Sequence, residues 1–189
     1  RSALQGVRFM GTQINPTLAW ADIERMRSRW QGKLVLKGIL CVEDAKRSVE
    51  AGADGIVLSN HGGRQLDSCV TGIELVGQCA AEVGDRLSII VDGGFRRGSD
   101  VLKAVALGAD AVMLGRAALY GLAAGGEAGV AHALSLLRVE MERAMTLLGC
   151  HTLDELGPHL IRAGLQCLRP AGPACGGPTR VDLSDRTGS

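Results

Sequence analysis

Aromatic residues are nearly missing from this 189-residue sequence: two Phe, two Trp and one Tyr make up 3% of it. Its core must therefore be built from Ala, Val, Leu and Ile, and a hydrophobic content of 46% is enough for one. Neither charge dominates, with 21 Lys and Arg against 20 Asp and Glu. No basic surplus points to nucleic acid or to an anionic membrane. No apolar run approaches the ~18 residues of a membrane span, and no signal peptide opens the chain. None of the six cysteines (Cys41, Cys69, Cys79, Cys150, Cys167, Cys175) shows CxxC spacing or joins a histidine at zinc spacing. We expect reduced thiols, no metal and a cytoplasmic setting. The chain opens on Arg1 without a strand or cap signal, as expected of a truncated or processed product.

Glycine, by contrast, is abundant at 27 residues, which implies many tight turns. Between the glycines lie four short apolar runs: "KLVLKG" (33–38), "GIVLSN" (55–60), "LSIIVDGG" (87–94) and "AVMLGR" (111–116). They are continuous rather than alternating, which suits parallel strands covered on both faces. Helical patterns separate them. Pro16 and Thr17 announce the first helix, and Gly52, Gly84 and Gly108 close the following ones. Ser99 is the expected N-cap of the "SDVLKAVALG" helix. A long last helix, from Gly126 to a stop at Gly149, offers one apolar face of Ala131, Leu134, Leu137, Met141 and Met145. Strand–helix alternation implies right-handed parallel βαβ units.

An internal echo sharpens the fold class. "DAKRSVEAGADGIVLSN" resembles "DVLKAVALGADAVMLGR", with Asp44, Asp54 and Ser59 matching Asp100, Asp110 and Gly115 at a constant offset of 56 positions. Duplicated βα pairs are expected of a (β/α)8 TIM barrel, and four strands make half of one. The fold expected is thus α/β, half a barrel over residues 1–163. Residues 164–189, rich in Pro and Gly, form a tail expected to be disordered.

In parallel barrels the reactive groups gather at the C-terminal ends of the strands. Here the four strands end on Lys37, on Ser59-Asn60-His61, on Asp92-Gly93-Gly94 and on Gly115-Arg116. "DGGFRRGSD" has the makings of a phosphate site: glycines that let the backbone approach an anion, and Arg96 or Arg97 to donate charge-assisted hydrogen bonds. "LGR" adds a second such turn, matching the phosphate site after the last two strands of many barrels. An imidazole, with an ordinary pKa of about 6.5, suits His61 to proton abstraction. Arg64 has the forked geometry that holds a carboxylate. Both side chains can enter one cavity if the loop turns at Gly62 and Gly63.

Those segments, with "LVLKGILCVEDA" and "LLGCHTLDEL", resemble the FMN-dependent 2-hydroxy acid oxidoreductases, which include glycolate oxidase and the L-lactate and mandelate dehydrogenases. The likeness spans 15–160. It implies that the four strands are the fifth to eighth of an FMN-holding barrel. It also implies oxidation of an L-2-hydroxy acid to the 2-oxo acid. Lys37 would lie beside flavin N1 and O2, His61 would be the base, Arg64 would bind the substrate carboxylate and Ser59 would touch the flavin. Asp92, Gly93, Gly94, Phe95 and Arg96, with Gly115 and Arg116, would hold the ribityl phosphate. Family members form tetramers, and pass electrons to a quinone, a cytochrome or O2. Some lie peripherally on the inner membrane. They are nearly twice as long as this chain. The first four barrel strands are missing here, and with them the substrate-binding tyrosine and the carboxylate that orients the histidine; Asp67 is not assigned that role. We therefore expect this chain alone to be unstable and inactive. Two alternatives are a half-barrel that binds FMN or phosphate without catalysis, and a non-redox isomerase using the same phosphate site.

Overall fold

A computed structural model describes residues 17–65 and 67–162. It contains four parallel strands, β1 (Val35–Ile39), β2 (Gly55–Leu58), β3 (Ser88–Asp92) and β4 (Ala111–Met113), paired in sequence order. Five helices accompany them: α1 (Trp20–Arg29), α2 (Val42–Glu50), α3 (Gly72–Val83), α4 (Gly98–Ala106) and α5 (Arg116–Leu148). Helices α2, α3 and α4 pack against one face of the sheet. That face carries the core, in which Ile56, Leu58, Val76, Val83, Ile89 and Val91 have no exposed surface. Each such side chain contributes about 1.5–3 kcal/mol by leaving water.

Covering on both faces holds only for β2, all of whose residues are buried. β1 and β4 are edges, and Val35 and Met113 on their open face are 45% and 41% exposed. The sheet is therefore open at both sides, as half a barrel requires.

The echo at 56 positions has a physical basis. Asp54 donates its N–H to Leu34 O (2.8 Å) and accepts Leu34 N–H on Oδ2 (2.9 Å). Asp110 makes the same pair of bonds to Ile89, at 2.8 and 2.7 Å. Each aspartate, placed just before its own strand, joins the parallel ladder at the start of the preceding strand and gives a backbone donor there its partner.

Helix boundaries depart from the sequence reading in three places. α1 begins at Trp20, with Asp22 Oδ2 accepting the Ala19 N–H (2.9 Å), rather than at Thr17. α4 begins at Gly98 with Arg97 as N-cap, because the Asp100 carboxylate accepts the N–H groups of Arg96 and Arg97 (3.2 and 3.0 Å); Ser99 lies inside the first turn. α5 starts ten residues early, at Arg116, and breaks at Gly125 and Gly126. Its two segments cross so closely that a Cβ on Gly121 would lie 2.6 Å from Gly129 O. Of the apolar face expected on the second segment only Leu137 is buried, and Leu134 is 47% exposed. The expected tail lies outside the described residues.

Candidate active site

The four strand ends open into one cleft of about 1180 Å³. Lys37, His61, Arg64, Asp92, Gly93, Gly94, Phe95, Arg96, Gly115 and Arg116 all line it. The structure thus brings these residues together, whereas Ser59, Asn60 and Arg97, also singled out in the sequence, do not line the cleft. That serine is 3% exposed and lies beneath the surface.

Its hydroxyl is the hinge of a partly buried network. Ser59 Oγ donates to Asp92 Oδ2 (2.7 Å) and accepts from Lys37 Nζ (2.7 Å) and from the His61 N–H (3.0 Å). One donor and two acceptor positions are the full capacity of a hydroxyl. Lys37 also donates to Asp92 Oδ2 at 2.7 Å, which leaves one of its three ammonium protons for a ligand. Burial pushes the Asp92 carboxyl up, but the hydrogen bonds from Lys37 and Ser59, and the nearby charges of Lys37 and His61, outweigh it and hold the group below its usual range. Lys37 is therefore fixed from the ends of β2 and β3 at once.

His61 sits on a left-handed turn. His61, Gly62 and Gly63 have φ of 59, 65 and 71°. Two glycines accept that conformation at no steric cost, whereas the histidine is strained. Asn60 ties the turn down, its Oδ1 accepting the Gly63 N–H at 3.1 Å. Arg116 Nη2 reaches over from the start of α5 to Gly62 O (3.2 Å). With the described residues, the His61 ring makes no hydrogen bond. Asp67 accepts the Ser68 N–H.

The two arginines of "FRRG" divide their work. Arg97 pairs with Glu140 at 2.8 Å, outside the cleft. Arg96 lines the cleft, and with the described residues neither its guanidinium nor that of Arg64 makes a hydrogen bond or ion pair. One carboxylate, Asp92, faces four Lys and Arg side chains in the cleft wall. Such a wall suits an anion. The first turn of α5 adds its free N–H groups, since a helix N-terminus favours phosphate. A Cβ on Gly94 or Gly115 would meet nothing within 4 Å. The backbone there is open to a ligand's close approach. A phosphate monoester at one end and a hydrogen-bonding ring edge against Lys37 fit this donor set, as FMN requires.

Met113, Leu114, Ala117, Leu119 and Tyr120 complete the wall and were not singled out in the sequence. Ala117, Leu119 and Tyr120 went unnoticed because α5 was expected to start at Gly126. The strong helix formers of "RAALYGLAA" were the available signal.

An open parallel α/β sheet with a cation-lined cleft at its strand ends, beside a helix N-terminus, is the plan of an anion-binding barrel enzyme. Comparison with known proteins narrows the class. The family described as FMN-dependent dehydrogenase matches residues 1–163, and the chain belongs to it. It is 48% identical over 148 residues to the L-lactate oxidase of Nostoc sp., covering 78% of this chain and 40% of that protein. To the (S)-mandelate dehydrogenase of Pseudomonas putida it is 46% identical over 154 residues, covering 82% and 39%. The crystal structure of a monotopic membrane protein, (S)-mandelate dehydrogenase, superimposes with a TM-score of 0.78 at 45% identity, over 82% of this chain and 41% of that one. A mandelate oxidase with (S)-4-hydroxymandelic acid gives 0.70 at 50% identity, over 74% and 41%. The chain spans about two fifths of the length of these relatives. Its open sheet is thus part of a TIM barrel. No helix among the described residues is long and apolar enough to cross a membrane.

Proposed function

We propose that this chain supplies the phosphate, ring-edge and substrate-carboxylate contacts for FMN-dependent oxidation of an L-2-hydroxy acid, lactate- or mandelate-like, to the 2-oxo acid. The observation that carries this reading is the convergence of Lys37, His61, Arg64, Arg96 and Arg116 on one cleft. FMN, when bound, would accept the two electrons and the second of the two protons that the substrate loses. Arg64 holds the substrate carboxylate through two parallel N–H groups. His61 takes one proton from the substrate, a role general-base catalysis fills with about 10²–10⁴-fold effect. Lys37, held by Asp92 and Ser59, places a positive charge where negative charge accumulates. Arg96, Arg116 and the first turn of α5 bind the phosphate.

A second reading is a half-barrel that binds FMN without turnover. It is favoured by the His61 ring, which lacks an orienting carboxylate among the described residues, and by the two open sheet edges. One structural neighbour is a monotopic membrane protein, which supports peripheral association with a membrane. Exposed Leu136, Val139 and Leu147 on α5 support association into an oligomer.

Equilibrium titration of the chain with FMN and with riboflavin, which lacks the phosphate, tests the binding part. FMN is expected to bind the tighter, and equal affinities would sink the phosphate assignment. Joining the chain to the N-terminal portion of the Pseudomonas putida relative and adding L-lactate or L-mandelate without oxygen tests the chemistry. Loss of oxidised-flavin colour that disappears in H61A supports the oxidation. Colour loss that survives H61A removes His61 as the base.

A further inference from the structure

Glu140 belongs to no part of the cleft, yet its carboxylate meets the segment that carries the phosphate contacts. It lies on the second segment of α5. Its Oε1 accepts from Arg97 Nη1 and its Oε2 from the Gly98 N–H, each at 2.8 Å. Gly98 is the first residue of α4, so the carboxylate also sits where a helix N-terminus favours negative charge. These bonds, with the pull of Arg143 nearby, hold the Glu140 carboxyl below its usual range. The approach is close: a Cβ on Gly98 would lie 2.5 Å from Met141 N and 2.6 Å from Leu137 O. The loop from Gly93 to Arg97 therefore has three anchors. Asp92 fixes its start, while Asp100, through the Arg96 and Arg97 N–H groups, and Glu140, through the Arg97 side chain and Gly98, fix its end.

We propose that Glu140 is the positioning residue of the phosphate subsite. It decides which of two adjacent arginines serves the anion. By holding Arg97 outside the cleft and pinning the start of α4, it leaves Arg96 directed into the cleft wall with its guanidinium uncommitted. An anion in the cleft would otherwise compete for Arg97 and draw the loop out of register. The pairing also explains why neighbouring residues of one type differ in surroundings: Arg97 is claimed by a carboxylate on another helix, and Arg96 is not. The proposal rests on the reading of the cleft as an FMN site.

The test is the ratio of FMN to riboflavin affinity, measured by fluorescence titration on the full chain as wild type, Glu140→Ala and Glu140→Gln. Damage to the fold lowers both affinities together, whereas misplacement of the phosphate subsite lowers only the first. E140A is expected to weaken FMN by about tenfold, equivalent to one strong hydrogen bond, with riboflavin affinity unchanged. E140Q keeps an acceptor for Gly98 N–H but loses the charge that holds Arg97, so an intermediate ratio is expected; it also carries the test if E140A does not fold. Equal loss for both ligands, or no change in either, overturns the role of Glu140. A wild-type chain that does not distinguish FMN from riboflavin overturns the cleft reading itself, and this inference falls with it.

Discussion

The Lys37 ammonium and the Asp92 carboxylate lie 2.7 Å apart, although 55 positions separate them in the chain. Lys37 lies within β1, two residues before its end, and Asp92 closes β3, with Ser59 directly after the intervening β2 bonded to both. Asp92→Asn keeps the shape but removes the charge that pairs with Lys37. Charge-assisted bonds are worth about 1.5–3 kcal/mol. Because the Lys37 side chain is 43% exposed and screened by solvent, the loss is expected at or below the bottom of that range, at about 1–1.5 kcal/mol. Urea unfolding at neutral pH measures it. The native carboxyl is held below its ordinary pKa of about 3.9. Its contribution is therefore present above pH about 3.9 and is lost as pH falls through the lower native value. The gap between wild type and D92N should be flat from neutral pH down to that point and close below it.

A second carboxylate, at the opposite end of the strands, gives an independent acid response. The hydrogen bond from Lys33, that from the Leu34 N–H and the charges of Lys33 and Arg27 lower the Asp54 pKa to about 2, against the opposing effect of burial. The stability it confers is present above its unfolded value of 3.8 and disappears as pH falls towards 2. Carboxyl chemical shifts followed through acid titration of the folded chain should show one aspartate with a midpoint near 2, absent in Asp54→Asn. A midpoint near the unfolded value would mean that the Leu34 and Lys33 bonds do not form in solution.

Local chemistry made much of this legible in the sequence. Four apolar runs became four strands, and the residues at their ends share one cleft, because a parallel sheet puts the C-terminal ends of its strands on one side. The "GAD" echo was visible as a pattern, while its cause, an aspartate that caps the neighbouring strand, needed coordinates. The choice between Arg96 and Arg97 stayed open, since it depends on Glu140, more than 40 positions away. The first segment of α5 was hidden for a different reason. The helix was expected to begin only at Gly126, yet Gly121 before it and Gly129 within it form the close crossing point of two helical segments. Ser99 was a reasonable cap by residue type, but the Asp100 carboxylate accepts the N–H groups of Arg96 and Arg97 and fixes an earlier start.

Close approach of helices separates two glycine substitutions that composition alone would rank together. Gly98→Ala forces a methyl against the backbone of α5 at 2.5–2.6 Å, where nothing flexible can yield. We expect a loss of at least about 2 kcal/mol, in the range of overpacking in a tight core. Gly77, inside α3, has nothing within 4 Å of its added Cβ. Gly77→Ala should therefore stabilise the chain by about 0.5–1 kcal/mol through helix propensity. Thermal unfolding of the two variants beside wild type checks the contrast; a destabilised G77A would show that α3 is covered on that face in solution.

His61 carries the clearest conflict between stability and chemistry. Its φ of 59° is left-handed, a region that costs an ordinary residue about 1–2 kcal/mol. The Asn60 and Arg116 contacts on either side of it hold the turn in place. His61→Gly removes the steric strain but adds chain entropy to the unfolded state, worth about 0.5–1 kcal/mol. The balance is expected to be a gain of up to about 1 kcal/mol. His61→Ala keeps the strain and loses the imidazole, so it should be less stable than H61G by a similar amount. In the completed barrel both should oxidise substrate more slowly, by about 10²–10⁴-fold. Denaturation midpoints and single-turnover flavin reduction, measured on the same two variants, separate the effects. Equal stability of H61G and H61A would mean that the turn relaxes out of the left-handed region, and with it the placement of the histidine over the cleft.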